Sequence, residues 1–100
     1  MAEATVVDHP EHGRLVVEAE GSEAELLYRL VGNRLVLVHT GVPEVLAGRG
    51  IGGVLVEAAL ARAAGEGLTV VPLCPYASHW LREHPDKADK VTIDWGAAGQ

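Results

Sequence analysis

Apolar and polar positions divide the chain into short β-strands followed by helices. Five short segments carry alternating or clustered apolar residues and are bounded by glycine, proline or asparagine, which is typical of strands. The predicted strands are Thr5–Asp8, Arg14–Glu18, Ala24–Leu30, Arg34–His39 and Leu68–Leu73. Turn dipeptides at Gly21-Ser22 and Gly32-Asn33 separate neighbouring strands. The first four strands are therefore predicted to form an antiparallel meander.

Helical periodicity begins after the fourth strand. Ile51–Ala64 is rich in alanine and leucine, and its apolar residues recur at helical spacing before Gly65 and Gly67. That stripe comprises Gly52, Leu55, Val56, Ala59, Leu60 and Ala63. A strand, a helix and a strand in succession predict that strands four and five are parallel, with a right-handed crossover. A second, shorter helix is predicted over Pro75–His84.

These elements predict an α/β (α+β) fold with a mixed sheet: a meander, a parallel pair joined by a crossover helix, and a second helix near the C-terminus. The fourth strand is apolar on both faces, with Leu35 and Leu37 on one and Val36 and Val38 on the other. We therefore expect that strand to be covered on both sides. Residues 1–95 are predicted to form one domain, and 96–100 a flexible tail.

A glycine-rich turn, Gly48-Arg49-Gly50-Ile51-Gly52-Gly53, connects the fourth strand to the first helix. Glycines let a backbone approach a phosphate closely, and a helix N-terminus directs unpaired N–H groups at it. The glycine spacing is not that of a dinucleotide-binding fingerprint, and no Gly-Lys-Ser/Thr follows as in a P-loop. The turn predicts an anion site that uses backbone amides.

Two chemically reactive side chains lie at the ends of the parallel strands: His39 is the last residue of the fourth strand, and Cys74 comes directly after the fifth. Ligands bind outside the carboxyl ends of such strands, so both residues are expected to face the site bordered by the turn. Cys74 is either a buried small hydrophobe or a thiolate favoured by its position at a helix start. His39 is either a hydrogen-bonded structural residue or a base.

The glycine turn, together with His39-Thr40, Val42-Pro43 and the Cys74-Pro75-Tyr76 block, resembles the small, single-domain branch of the Gcn5-related N-acetyltransferases. The resemblance extends over about residues 14–91. It implies acetyl-CoA as co-substrate and an amine, on a small molecule or a protein, as acceptor. In one respect the chain departs from the family pattern, because Ala47 stands where the loop usually opens with Gln or Arg.

The resemblance also implies roles for individual residues. The pyrophosphate would be bound by Gly48, Arg49, Gly50, Ile51, Gly52 and Gly53. The pantetheine amides would pair with Thr40, Gly41 and Val42, and Tyr76 would line the groove. The amine would attack the thioester directly with His39 as base, or would receive acetyl from Cys74. An alternative function is a CoA- or acyl-CoA-binding or interaction module without turnover. The short length favours this alternative, because larger relatives have further C-terminal strands that help to form the acceptor site.

Composition restricts the other function classes. The formal net charge is −6 without a basic run, which argues against nucleic acid or an anionic membrane as partner. We expect no secretory signal, no membrane span and, with one cysteine, no internal disulfide. A cytoplasmic protein, monomeric or weakly dimeric, is the resulting expectation. The five histidines fit no ligand spacing, so no metal site is expected.

Overall fold

A computed structural model describes residues 5–96, which form one six-stranded sheet with helices packed against it. The strands are β1 (Val6–His9), β2 (Arg14–Ala19), β3 (Ser22–Val31), β4 (Arg34–Gly41), β5 (Thr69–Pro72) and β6 (Thr92–Ile93). The helices are α1 (Ile51–Glu66), α2 (Pro75–Glu83) and α3 (Pro85–Ala88), and a 3-10 turn covers Glu44–Leu46. No helix among the described residues is both long and apolar enough to cross a membrane.

Strand order in the sheet follows the chain, β1-β2-β3-β4-β5-β6. The first four strands pair antiparallel, and β5 pairs parallel with β4 across the crossover helix α1. The predicted meander, parallel pair and second helix are thereby confirmed. The sequence did not predict β6 or α3, since a two-residue strand and a four-residue helix carry too little periodicity. Residues 97–100 of the predicted tail lie outside the described residues.

One face of the sheet carries the helices. A single apolar cluster joins alternate residues of β2–β5 to the buried residues of α1, α2 and α3, and all of the predicted α1 stripe is buried in or against it. We call this the helix-covered face. The opposite face, which we call the helix-free face, carries Val7, Val36 and Val38 among others, and Val38 is 39% exposed. The expectation that β4 is covered on both sides was wrong, because the described helices form a single layer.

A β-bulge in β4 exchanges the faces of the residues that follow it. Tyr28 of β3 pairs with Leu37, whereas the preceding residue Leu27 pairs with His39, so Val38 is an extra residue in β4. One extra residue reverses the alternation of side chains beyond it. Thr40 therefore points to the helix-covered face, and His39 points to the helix-free face.

A polar network joins the sheet to α1 away from the glycine turn. The Tyr28 hydroxyl donates to Asp8 Oδ1 at 2.5 Å, and Arg62 Nη1 donates to Tyr28 Oη at 2.5 Å and to Asp8 Oδ2 at 3.0 Å. Tyr28 is only 5% exposed. Burial, and then the neighbouring Asp8, raises the pKa of Tyr28 to about 12. The network therefore stabilises the fold as long as the phenol keeps its proton.

This raised pKa predicts a loss of stability in alkaline solution. In the unfolded chain the phenol ionises near its ordinary pKa of about 10, so its stabilising effect is complete below that pH and disappears as pH rises through 12. Between pH 10 and pH 12 we expect the free energy of unfolding of the wild-type protein to fall by on the order of 2 kcal/mol more than that of Tyr28→Phe. Urea unfolding of both proteins from pH 9 to 12 measures the difference. Parallel pH profiles would contradict the prediction.

Candidate functional site

A gap opens where β4 and β5 stop pairing. The last paired residues are Leu37 and Pro72, and the Leu37 carbonyl then accepts the N–H groups of Leu73 at 3.0 Å and Cys74 at 2.9 Å. Beyond this point β4 continues to Gly41, while the chain after β5 turns into α2. The edge of Val38–Gly41 that faces away from β3 consequently has no strand partner among the described residues. We call this space the gap.

Thr40 and Cys74 meet across the gap on the helix-covered face. Cys74 Sγ donates to Thr40 Oγ1 at 3.3 Å. Cys74 is the residue immediately before α2, yet it is only 3% exposed and belongs to the apolar cluster. Its thiol is therefore a hydrogen-bonded part of the wall rather than a group in open solvent.

His39 does not meet Cys74. The bulge at Val38 turns the imidazole to the helix-free face, where it is exposed and lies beside Gly41. Strand order predicted that His39 and Cys74 both face the site bordered by the glycine turn, and the structure places them on opposite faces of the sheet there. The two residues border the gap from opposite faces of the sheet, and Thr40 takes the place beside Cys74.

The glycine turn presents open backbone at the start of α1. Gly48 has φ 81° and Gly50, the residue preceding the helix, has φ 74°. Both are left-handed conformations that glycine adopts without strain, and no other atom lies within 4 Å of a Cβ built at either position. The N–H groups of Ile51, Gly52 and Gly53 precede the first helical hydrogen bond, from Val54 to Gly50, and lack an acceptor within the helix. An anion could approach this turn closely.

Gly52 and Gly53 have a second reason to be glycine. A Cβ at Gly52 would lie 2.5 Å from Tyr76 Oη, and one at Gly53 would lie 2.5 Å from Trp80 Nε1. Two aromatic rings one turn apart on α2 thus pack directly on the α1 backbone. This contact brings the N-termini of α1 and α2 together, so the glycine turn adjoins the gap. The sequence signal for this contact is a pair of adjacent glycines in α1 and two aromatic residues four positions apart in α2.

Side chains around the turn give it little positive charge. The Arg49 guanidinium pairs with the Glu20 carboxylate on the β2–β3 turn, and this contact raises the pKa of Arg49 and lowers that of Glu20. Ala47 is exposed and offers no polar group. Backbone amides are therefore the main donors available to an anion here.

Tyr76 lies between the turn and the gap. It is 42% exposed, and burial, followed by the neighbouring Cys74, raises its pKa. Its hydroxyl therefore stays protonated at neutral pH. The structure thus brings the predicted residues Gly48–Gly53, Thr40, Cys74 and Tyr76 to one side of the sheet, with Gly41 and Val42 continuing from β4.

The chain is similar to proteins of one family along most of its length. Residues 14–91 match the family model described as GCN5-related N-acetyl-transferase. Protein NATD1 from Homo sapiens and from Gallus gallus are each 43% identical to it over 63 residues, or 62% of this chain. The matched segment spans 56% of the human protein and 57% of the chicken protein.

A solved structure has the same architecture. It is the NMR solution structure of a protein from Staphylococcus aureus described as a GCN5-like candidate N-acetyltransferase. The two structures superpose with a TM-score of 0.71 over 94% of this chain and 93% of the other, at 26% sequence identity. The mixed sheet with its parallel strand pair is shared between them.

Proposed function

Because this chain belongs to the GCN5-related N-acetyltransferase family, we propose that it takes acetyl from acetyl-CoA and transfers it to an amine. The observation that carries the proposal is the turn Gly48–Gly53, with its two left-handed glycines, open approach and helix N-terminus beside the gap. A pyrophosphate needs several N–H donors within reach of closely placed oxygens, and such a turn supplies them.

The gap is the proposed place for the pantetheine arm and the thioester. Successive residues of an extended chain direct their N–H and C=O groups to opposite edges. Alternate residues of Thr40, Gly41 and Val42, at and just after the end of β4, can therefore pair with the amides of an extended ligand at the free edge, as a further strand would. Tyr76 on the wall can donate its hydroxyl to the sulfur that leaves. These positions link the pyrophosphate at the turn to a thioester at the narrow end of the gap, which is the end where β4 and β5 begin to diverge after Leu37 and Pro72.

We propose direct attack by the amine, with His39 as the base. His39 is exposed on the helix-free face beside the gap, so an amine arriving from that side can reach it. The amine nitrogen bonds to the thioester carbon, its proton passes to the imidazole, and the carbon–sulfur bond breaks. The CoA thiolate then takes a proton. His39 acts on the acceptor in this scheme and needs no contact with Cys74.

Cys74 is proposed as a wall of the site. A nucleophilic cysteine needs to be a thiolate, and thiolates are favoured by exposure and positive neighbours. Cys74 is 3% exposed and lies in the apolar cluster, where its sulfur is hydrogen-bonded to Thr40 Oγ1. The covalent route through an acetyl-cysteine remains the competing mechanism, and a single variant separates the two.

Under direct attack, Cys74→Ala should retain at least a tenth of the wild-type turnover, whereas a covalent route predicts its loss. The measurement is release of the CoA thiol from acetyl-CoA in the presence of a set of primary amines. Mass spectrometry of wild-type protein mixed with acetyl-CoA alone should show no added acetyl group on Cys74. A stable acetyl-cysteine together with an inactive Cys74→Ala would instead establish the covalent route.

The same measurements distinguish an enzyme from a binding module. A protein that binds CoA but releases no thiol with any amine would be a CoA- or acyl-CoA-binding module. A protein that binds no CoA would contradict the proposal as a whole. Transfer of acetyl to one class of amine would both confirm the activity and identify the acceptor.

A further inference from the structure

We infer that Thr40 and Cys74 together form the closed end of the acyl site and limit the donor to short acyl groups. The inference rests on the proposed function, since it places the thioester in the gap. It gives the Cys74 thiol a role that does not require it to react. The two side chains are hydrogen-bonded at the narrow end of the gap, near the point where the parallel strands meet.

Cys74 is fixed in position by contacts on three sides. Its N–H donates to the Leu37 carbonyl at 2.9 Å, its carbonyl accepts from the Ser78 N–H at 3.0 Å, and its thiol donates to Thr40 at 3.3 Å. A longer acyl chain could not push the side chain aside without breaking one of these bonds.

Cys74 belongs to the buried core, which limits the space at this end of the gap. Leu37, Leu55 and Ala77, all in the same apolar cluster, are each 0% exposed. Close-packed interiors accommodate an additional methylene only at the expense of strain. An acetyl group ends at the wall formed by Thr40 and Cys74, whereas two further methylenes would have to enter this packed region.

The size of the Thr40 and Cys74 side chains sets the limit on the length of the acyl chain. Cys74→Ala removes the sulfur, and Thr40→Ala removes the hydroxyl and methyl from the opposite wall. Either change enlarges the closed end without altering the glycine turn that binds the pyrophosphate. One methylene in such a site typically changes affinity by roughly 10- to 200-fold, so a measurable selectivity is expected.

Calorimetric titration with free CoA, acetyl-CoA and butyryl-CoA tests this assignment. For the wild-type protein we expect butyryl-CoA to bind at least 10-fold more weakly than acetyl-CoA. In Cys74→Ala and in Thr40→Ala the ratio should fall to about threefold or less. Thr69→Ala, at the other end of β5, is the matched control and should keep the wild-type ratio. If one of the two enlarged variants does not fold, the other decides.

The possible outcomes separate this inference from the proposed function. Equal wild-type affinity for acetyl-CoA and butyryl-CoA would overturn the inference while leaving CoA binding intact. So would an unchanged ratio in the folded enlarged variants. Failure of the wild-type protein to bind free CoA would overturn the proposed function and this inference together.

Discussion

Gly50→Ala should weaken CoA binding by about 10- to 100-fold, a loss equivalent to one or two charge-assisted hydrogen bonds. Gly50 has φ 74°, and the space around its Cα is open. A methyl group there would occupy the side from which a pyrophosphate approaches, and the left-handed backbone would be strained by about 1–2 kcal/mol. Calorimetry with free CoA measures the dissociation constant.

Gly67→Ala is a matched control at the other end of α1. Gly67 has φ 67° and likewise has no neighbouring atom within 4 Å of a built Cβ, so both variants carry similar backbone strain. The control should lower the melting temperature to a similar degree and leave the affinity for CoA within about threefold. Arg49→Ala should also have a small effect, because its guanidinium pairs with Glu20. Equal losses of affinity in Gly50→Ala and Gly67→Ala would contradict a backbone phosphate site.

Loss of the His39 imidazole should reduce turnover by about 10²- to 10⁴-fold, the usual effect of removing a general base. In His39→Gln the amine has no group beside the gap to take its proton. The reduction should appear in kcat, with little change in the dissociation constant of CoA. A purely structural role would not produce this split between kcat and the affinity for CoA.

His9→Gln provides the control for this prediction. His9, Arg14, Leu27 and His39 form one row of paired residues across four strands, so both histidines lie on the helix-free face. Three strand spacings, roughly 14 Å, separate them. His9→Gln should therefore retain turnover. Full activity in His39→Gln, or an equal loss in His9→Gln, would exclude His39 as the base.

Much of the fold could be predicted because hydrophobic periodicity depends on local geometry. Two-residue alternation identified the meander, and the stripe from Gly52 to Ala63 identified α1 and its buried side. The order of strand, helix and strand then determined the parallel pair. The glycine turn could also be recognised, because left-handed backbone at Gly48 and Gly50 strongly favours glycine.

The candidate site was less predictable, because small non-local features decide it. Val38 is one extra residue in β4, and nothing in its identity distinguishes a bulge from regular strand. It nevertheless turns His39 away from Cys74 and brings Thr40 to the thiol. The roles of Gly52 and Gly53 likewise depend on where α2 packs, which the sequence pattern of α1 alone does not contain.

The sequence by itself thus determined the first five strands, the two longer helices, their order, and the glycine-rich turn before α1, because these follow from side-chain period and backbone conformation within short stretches. Tertiary structure alone decided which side chains meet. Pairing between β3 and β4 fixed the bulge and the faces of His39 and Thr40, and a single layer of helices left Val38 exposed. The physical reason is that register and layer packing depend on contacts between distant segments, so one added residue reverses every side chain beyond it.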